Sequence, residues 1–177
     1  MISGTRRGRQ LRAPSGDATR PTSDRVREAI FDVLGSLTDI EGAAVADLFA
    51  GSGAMGIEAL SRGAASVVFV DRSAVAVRAV RDNLASLELG SQARVVKQDV
   101  VRFLERPQHF DLVLCDPPYV YEDWGELWAR LHAGLVVLES GRSVDVPPTW
   151  ETVRNKRYGG TLVTVARPLG ARQKGTS

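Results

Sequence analysis

Asp116-Pro117-Pro118-Tyr119 follows the strand-like run Phe110-Asp111-Leu112-Val113-Leu114-Cys115 and sets an acceptor-rich turn beside an aromatic face. Such a turn is suited to gripping a planar amine. One oxygen of Asp116 and one main-chain carbonyl accept the two protons of an amino group, while the Tyr119 ring covers the flat system that bears it. Each proline fixes its own φ and biases the residue before it away from helix, so the acceptors need little ordering on binding. The plainer reading is an ordinary strand-ending turn, because X-Pro pairs are common turn chemistry. Its neighbours along the chain decide between the two.

Upstream, Val45-Ala46-Asp47-Leu48-Phe49-Ala50 is an apolar strand pattern that runs into Gly51-Ser52-Gly53 and then into a helical segment containing Gly56. Gly51 and Gly53 let the main chain pass close to a ligand, and Gly56 permits tight helix packing. The spacing matches a dinucleotide fingerprint, a weak signal by itself. Asp71 closes the next strand 24 residues after Asp47, where an acidic side chain meets ribose hydroxyls in such folds. Asp99 ends a third strand and Asp116 a fourth. Any single Asp at such a place is explained by capping the following helix. Four at consecutive strand ends share one edge of a parallel sheet, the edge at which open α/β folds bind ligands. Asp47, immediately before the glycine turn, repels a phosphate and favours a cation, such as a sulfonium or an ammonium.

The elements that position these residues follow a βαβ rhythm. Strands are expected near 44–49, 67–71, 93–99 and 110–115, alternating with helices near 54–62, 73–88 and 122–132. Leu135 to Glu139 reads as a fifth strand. Val153 to Tyr158 and Thr161 to Ala166, joined at Gly159-Gly160, read as a hairpin that puts an antiparallel strand at the sheet's edge. Pro21-Thr22-Ser23-Asp24 starts an earlier helix whose apolar face is Val26, Ile30, Val33, Leu34 and Leu37. Trp124, Trp128 and Trp150 read as packing residues.

Taken together, Arg20-Pro21-Thr22-Ser23-Asp24-Arg25-Val26-Arg27-Glu28-Ala29-Ile30-Phe31, the stretch Asp47 to Ala64 and Asp116-Pro117-Pro118-Tyr119 resemble the class I S-adenosylmethionine-dependent methyltransferases. Within them the chain resembles the RsmD-like guanine-N2 methyltransferases of small-subunit (16S) ribosomal RNA. The resemblance covers nearly the whole length, and its first block is the narrowest identifier. It implies an α/β, Rossmann-like class I methyltransferase fold: a mainly parallel seven-stranded sheet with an antiparallel edge strand and a short N-terminal hairpin and helix extension. It implies S-adenosyl-L-methionine as cofactor, held by Asp47, Phe49, Ala50, Gly51, Ser52, Gly53, Gly56 and Arg72, with Asp71 at the ribose and Asp99 and the Val100 main chain at the adenine. Asp116, Pro117 and Tyr119 would be catalytic. The partner would be small-subunit ribosomal RNA or the 30S particle.

A chain of 177 residues with 44% apolar content suffices for one compact domain. No apolar run approaches the length of a membrane span and no secretory signal is evident, so a cytoplasmic protein is expected. The single Cys115 reads as a small hydrophobe, and His109 and His132 fit no ligand spacing, so no metal is expected. Charge is uneven. Residues 1–27 hold seven arginines and two aspartates, net +5, leaving −3 for the rest of a chain whose total is +2. A charge run alone is often just a solvated terminus. Here Arg6, Arg7, Arg9 and Arg12 flank a glycine-containing hairpin-like segment and suit phosphates; with Arg20, Arg25 and Pro118 they are the expected RNA contacts. Four phosphates neutralised on single-stranded RNA give a log-log salt slope of roughly −3.

The expected organisation is a basic arm at 1–21, a methyltransferase domain at 22–169 and a flexible tail at 170–177, as a monomer. Competing functions are a DNA adenine-N6 methyltransferase, for which the chain lacks room for a target-recognition region, and a protein glutamine methyltransferase, which usually has Asn at the place of Asp116. A non-catalytic RNA-binding assembly factor is the third.

Overall fold

The computed structural model describes residues 24–170. Its centre is a seven-stranded sheet whose first five strands are β1 (Ala44–Leu48), β2 (Ser66–Asp71), β3 (Ala93–Lys97), β4 (Phe110–Cys115) and β5 (Ala133–Ser140). These five pair in parallel. The last two, β6 (Trp150–Tyr158) and β7 (Thr161–Pro168), form the expected hairpin, and β7 inserts antiparallel between β5 and β6. The order is β3-β2-β1-β4-β5-β7-β6. The chain therefore winds one way from β1 to β3 and the other way from β4 onward, which makes the gap between the carboxyl ends of β1 and β4 a topological switch point.

Helices cover both faces because the central strands are apolar on both. On one face, α1 (Asp24–Leu34), α2 (Ala54–Ser61) and α3 (Ala74–Ser86) bury Ile30, Phe31, Leu34, Ile57, Val80 and Leu84 against Val45, Leu112 and Val137. On the other, α4 (Val100–Leu104) and α5 (Trp124–Arg130) bury Phe103, Leu127 and Trp128 against Ala46, Val113 and Val136. The helix α4 is absent from the sequence reading because five residues are too few to show a period. Among the described residues no helix is long and apolar enough to cross a membrane.

Arg27, counted with the basic run, is not directed at solvent. It is 4% exposed, donates to Asp24 at 2.8 Å and lies 3.9 Å from the fully buried Glu58, which Arg62 also meets at 3.0 Å. This ion network pins α1 to α2. The expected arm and hairpin at 1–21, with Arg6, Arg7, Arg9, Arg12 and Arg20, lie outside the described residues, as does the tail beyond Gly170.

Candidate active site

The turn after β1 is built from residues in the left-handed region. Phe49 has φ 59°, Gly51 φ 55° and Gly53 φ 78°. Glycine adopts this conformation at no steric cost, but Phe49 adopts it under strain, a sign that surrounding contacts hold it there. Its ring meets Tyr121 edge-on at 5.1 Å, and Tyr121 meets Trp124 the same way at 4.9 Å. Gly53 N–H donates to the Ala50 carbonyl at 2.7 Å, and the buried Asn83 of α3 donates to the Ser52 carbonyl at 3.0 Å. At Gly56 a Cβ would stand 2.4 Å from the Phe69 ring and 2.9 Å from Asp47 Oδ2, so no side chain fits.

Asp47 lies beneath this turn, 3% exposed, and its Oδ2 accepts the Gly56 N–H at 2.8 Å. Burial pushes its carboxyl up to about 8; the Gly56 N–H offsets part of that, while the charges of Asp116 and Asp71 add to it. Three strand-end carboxylates are thus close enough to feel one another. A buried carboxyl so raised is the place where a cationic ligand does most, because the cation restores the charge that desolvation removed.

Asp71 spends both oxygens on the main chain, Oδ2 accepting from Gly51 N–H at 2.9 Å and Oδ1 from Ser73 N–H at 2.8 Å. It therefore ties the end of β2 to the glycine turn while remaining half-exposed. Asp99 caps α4, its Oδ1 accepting from Val101 and Arg102. Here the capping role and a place on the ligand edge coincide, since the second oxygen of an exposed carboxylate still has lone pairs. Arg72 is exposed and Val100 is buried in the core beneath.

Across the switch point, Asp116 N–H reaches the Leu48 carbonyl at 3.4 Å, joining the end of β4 to the end of β1. Pro117 is buried, and the Pro118 carbonyl accepts from Tyr121 N–H at 2.8 Å. Tyr119 is 55% exposed. Its ring lies against Gly141 just after β5, 3.1 Å from where a Cβ would be. One face of the ring is backed by main chain and the side chain opens to solvent. Burial first, then neighbouring acidic groups, raises the Tyr121 hydroxyl well above the usual phenol range, so it stays protonated and donates to the Asp123 carbonyl at 3.2 Å. Burial likewise drives the Cys115 thiol up, consistent with an inert core residue.

Proteins of similar sequence and fold are known. Residues 1–167 match the family model described as Conserved hypothetical protein 95. The chain belongs to that family. A candidate rRNA methyltransferase of Bacillus subtilis, YlbH, is 39% identical over 96% of this chain and 99% of its own. Ribosomal RNA small subunit methyltransferase D of Haemophilus influenzae is 34% identical over 90% of this chain and 88% of its own. A candidate methyltransferase of Escherichia coli, yhhF, superposes with a TM-score of 0.83 at 35% identity, covering 95% of this chain and 96% of that one. The expected class I methyltransferase fold is therefore the fold of this chain.

In this member of the Conserved hypothetical protein 95 family, Asp47, the turn from Phe49 to Gly53, Gly56, Asp71 and Asp116 all gather around the switch point. Asp99 lies at the same rim at the end of β3, and its charge reaches Tyr121. Arg25 is on the exposed side of α1, among helix residues rather than in an arm. Two participants escaped the sequence reading. Asn83 had a signal, a polar residue on the stripe Ala76, Val77, Val80, Leu84 that faces the core. Gly141 had none, because its importance comes from a ring that arrives from another strand.

Proposed function

We propose that the chain transfers a methyl group from S-adenosylmethionine to the exocyclic N2 amine of a guanine in small-subunit ribosomal RNA, presented as RNA or within the 30S particle. The observation that carries this is the pairing, at one switch point, of a buried, protonated carboxyl with an acceptor turn and a half-exposed ring. The donor fits what is present. Gly51 and Gly53 keep the turn open to a ligand, Asp47 answers a positive charge, and Asp71 and Asp99 offer lone pairs to hydroxyl and amino donors. S-adenosylmethionine, when bound, supplies an electrophilic methyl group on a sulfonium.

The chain's own residues would act on the acceptor. The guanine N2 lone pair is conjugated into its ring, which makes it a poor nucleophile. Asp116 and the Pro117 carbonyl accept its two protons and favour the pyramidal nitrogen; the Pro118 carbonyl is already spent on Tyr121. Tyr119 stacks on the base, with Gly141 behind it. As the N–C bond forms the nitrogen turns acidic and its proton leaves to Asp116 or to water, so no strong base is needed beforehand. Most acceleration comes from holding the nitrogen in line, an effect that reaches about 7–11 kcal/mol in favourable intramolecular cases. In duplex RNA the N2 amine lies on a paired edge. The base must come from a loop or turn outward, at a cost of a few kcal/mol.

The names of the curated relatives support ribosomal RNA as the substrate class, and the amine acceptors support an exocyclic nitrogen. Ribosomal RNA from cells lacking the gene, incubated with the protein and S-adenosylmethionine and then digested for mass analysis, should contain new N2-methylguanosine. Methyl groups found only on adenine, on DNA or on protein would contradict the proposal.

A further inference from the structure

The parallel register carries the active-site level across the sheet to its far edge. The last β4–β5 pair is Cys115 with Leu138, so Asp116 stands one step further, level with Glu139. Glu139 pairs with Val163 and Val163 with Lys156, while Ser140 pairs with Leu162 and Leu162 with Arg157. Because β7 is antiparallel to both neighbours, β6 runs in the direction of β5. Its end, Lys156-Arg157-Tyr158, therefore emerges at the same rim as Asp116, three strand spacings or about 14 Å away. Between them, directly after the Gly141 that backs Tyr119, is Arg142.

All three basic residues are exposed. Among the described residues neither Lys156 nor Arg157 pairs with a carboxylate, and Arg142 has only a loose partner, Glu122 at 3.9 Å with both side chains largely in solvent. The plain explanation for charge on β6 is protection of an exposed edge against strand addition. That would spread the charge along the whole strand; here its start carries Glu151, paired with Arg167, and among the described residues the positive charge without a carboxylate partner runs from Arg154 at mid-strand to Lys156 and Arg157 at the rim. Lys156 also stands over the Tyr158 ring at 5.1 Å, which steadies a flexible ammonium near its strand end.

We propose that Arg142, Lys156 and Arg157 form a phosphate track that carries the RNA strand leading away from the target base, starting beside Tyr119 and leaving the protein over the end of β6. This rests on the RNA-methylation reading above and adds a contact surface distinct from the N-terminal arginines. A base held on Tyr119 needs its flanking backbone supported on one side; the cofactor turn occupies the other, so the strand is led toward β6.

The test compares wild type with Lys156→Gln/Arg157→Gln and with Arg142→Gln, using purified small-subunit ribosomal RNA and isolated small subunits as substrates, at several salt concentrations. The double variant should raise KM for RNA roughly tenfold and flatten the log-log salt slope by about 1.4, and Arg142→Gln should flatten it by about 0.7, with kcat at saturating RNA and S-adenosylmethionine affinity unchanged. Arg106→Gln, near the opposite rim, serves as the control and should leave the slope alone. Wild-type KM and slope in the variants, with an active wild type, would overturn the track but not the methylation reading. A wild type that neither binds nor methylates either substrate would overturn both.

Discussion

The two sides of the switch point are built differently. On the β1–β2–β3 side nearly every polar group is already engaged: Asp71 with two main-chain N–H groups, Asp47 with Gly56, Asn83 with Ser52, Asp99 with the start of α4. On the β4–β5–β7–β6 side Tyr119 is half-exposed, and the basic groups near it are loosely held or face water. In the proposed reaction the first side would meet a small ligand of fixed shape, and the second a large one that brings its own structure. Pre-organisation lowers the cost of binding where the ligand is constant, whereas an open charged surface favours encounter with a polyanion.

The largest effect expected from breaking the pre-organised side is at Asp71. Asp71→Ala removes two charge-assisted hydrogen bonds that fix the glycine turn, together with the expected ribose contact, and should weaken S-adenosylmethionine binding about a hundredfold by calorimetry. RNA binding should hardly change, and a loss there of similar size would erase the distinction between the two sides. The converse experiment is Tyr119→Ala. Losing one stacked base costs about 1–3 kcal/mol, so kcat/KM for RNA should fall roughly tenfold to a hundredfold with cofactor affinity intact, and Tyr119→Phe should recover most of it. Failure of phenylalanine to rescue would show that the hydroxyl, not the ring, is what matters.

A smaller and graded effect concerns Asp47. Its carboxyl keeps a proton to about pH 8 in the folded chain, against 3.8 for an ordinary aspartate. The folded state thus binds more protons between those values, so this residue's contribution favours the native state at low pH and declines as pH rises through the window. A cationic ligand prefers the carboxylate, so affinity for S-adenosylmethionine should climb by up to about tenfold per pH unit toward pH 8, with proton release on binding. Asp47→Asn should abolish that slope, weaken binding, and raise the Tm of the ligand-free protein at pH 8. An unchanged pH profile in Asp47→Asn would remove the residue from the cation's site.

The pre-organised side was also the more legible in the sequence. Gly51 and Gly53 act through their own backbone and Asp99 through the start of the helix that follows it, and local chemistry of that kind is written in residue type and spacing, whereas the bond from Asp71 to Gly51 joins two strands and was not read. Strand positions followed for the same reason, since five apolar runs separated by turns leave few arrangements. What could not be read depends on contacts between distant segments. Arg27 looked like one more surface arginine until Glu58 of α2 was brought against it. Gly141 and Arg142 carry no motif of their own, and only the return of β5 beside the Tyr119 turn gives them a place at the site. The short helix α4 was hidden because Asp99 signals a cap but five residues carry no periodicity.

In the proposed reaction Asp116 holds the amine that receives the methyl group and takes no part in holding the donor. Single-turnover methyl transfer by Asp116→Ala, measured alongside its affinity for S-adenosylmethionine, tests it most directly. Transfer should fall by about a thousandfold or more, the loss of oriented hydrogen bonds at the reacting atom, with affinity within about twofold of wild type. Transfer at the wild-type rate, or a fall matched by equal loss of donor binding, would contradict it.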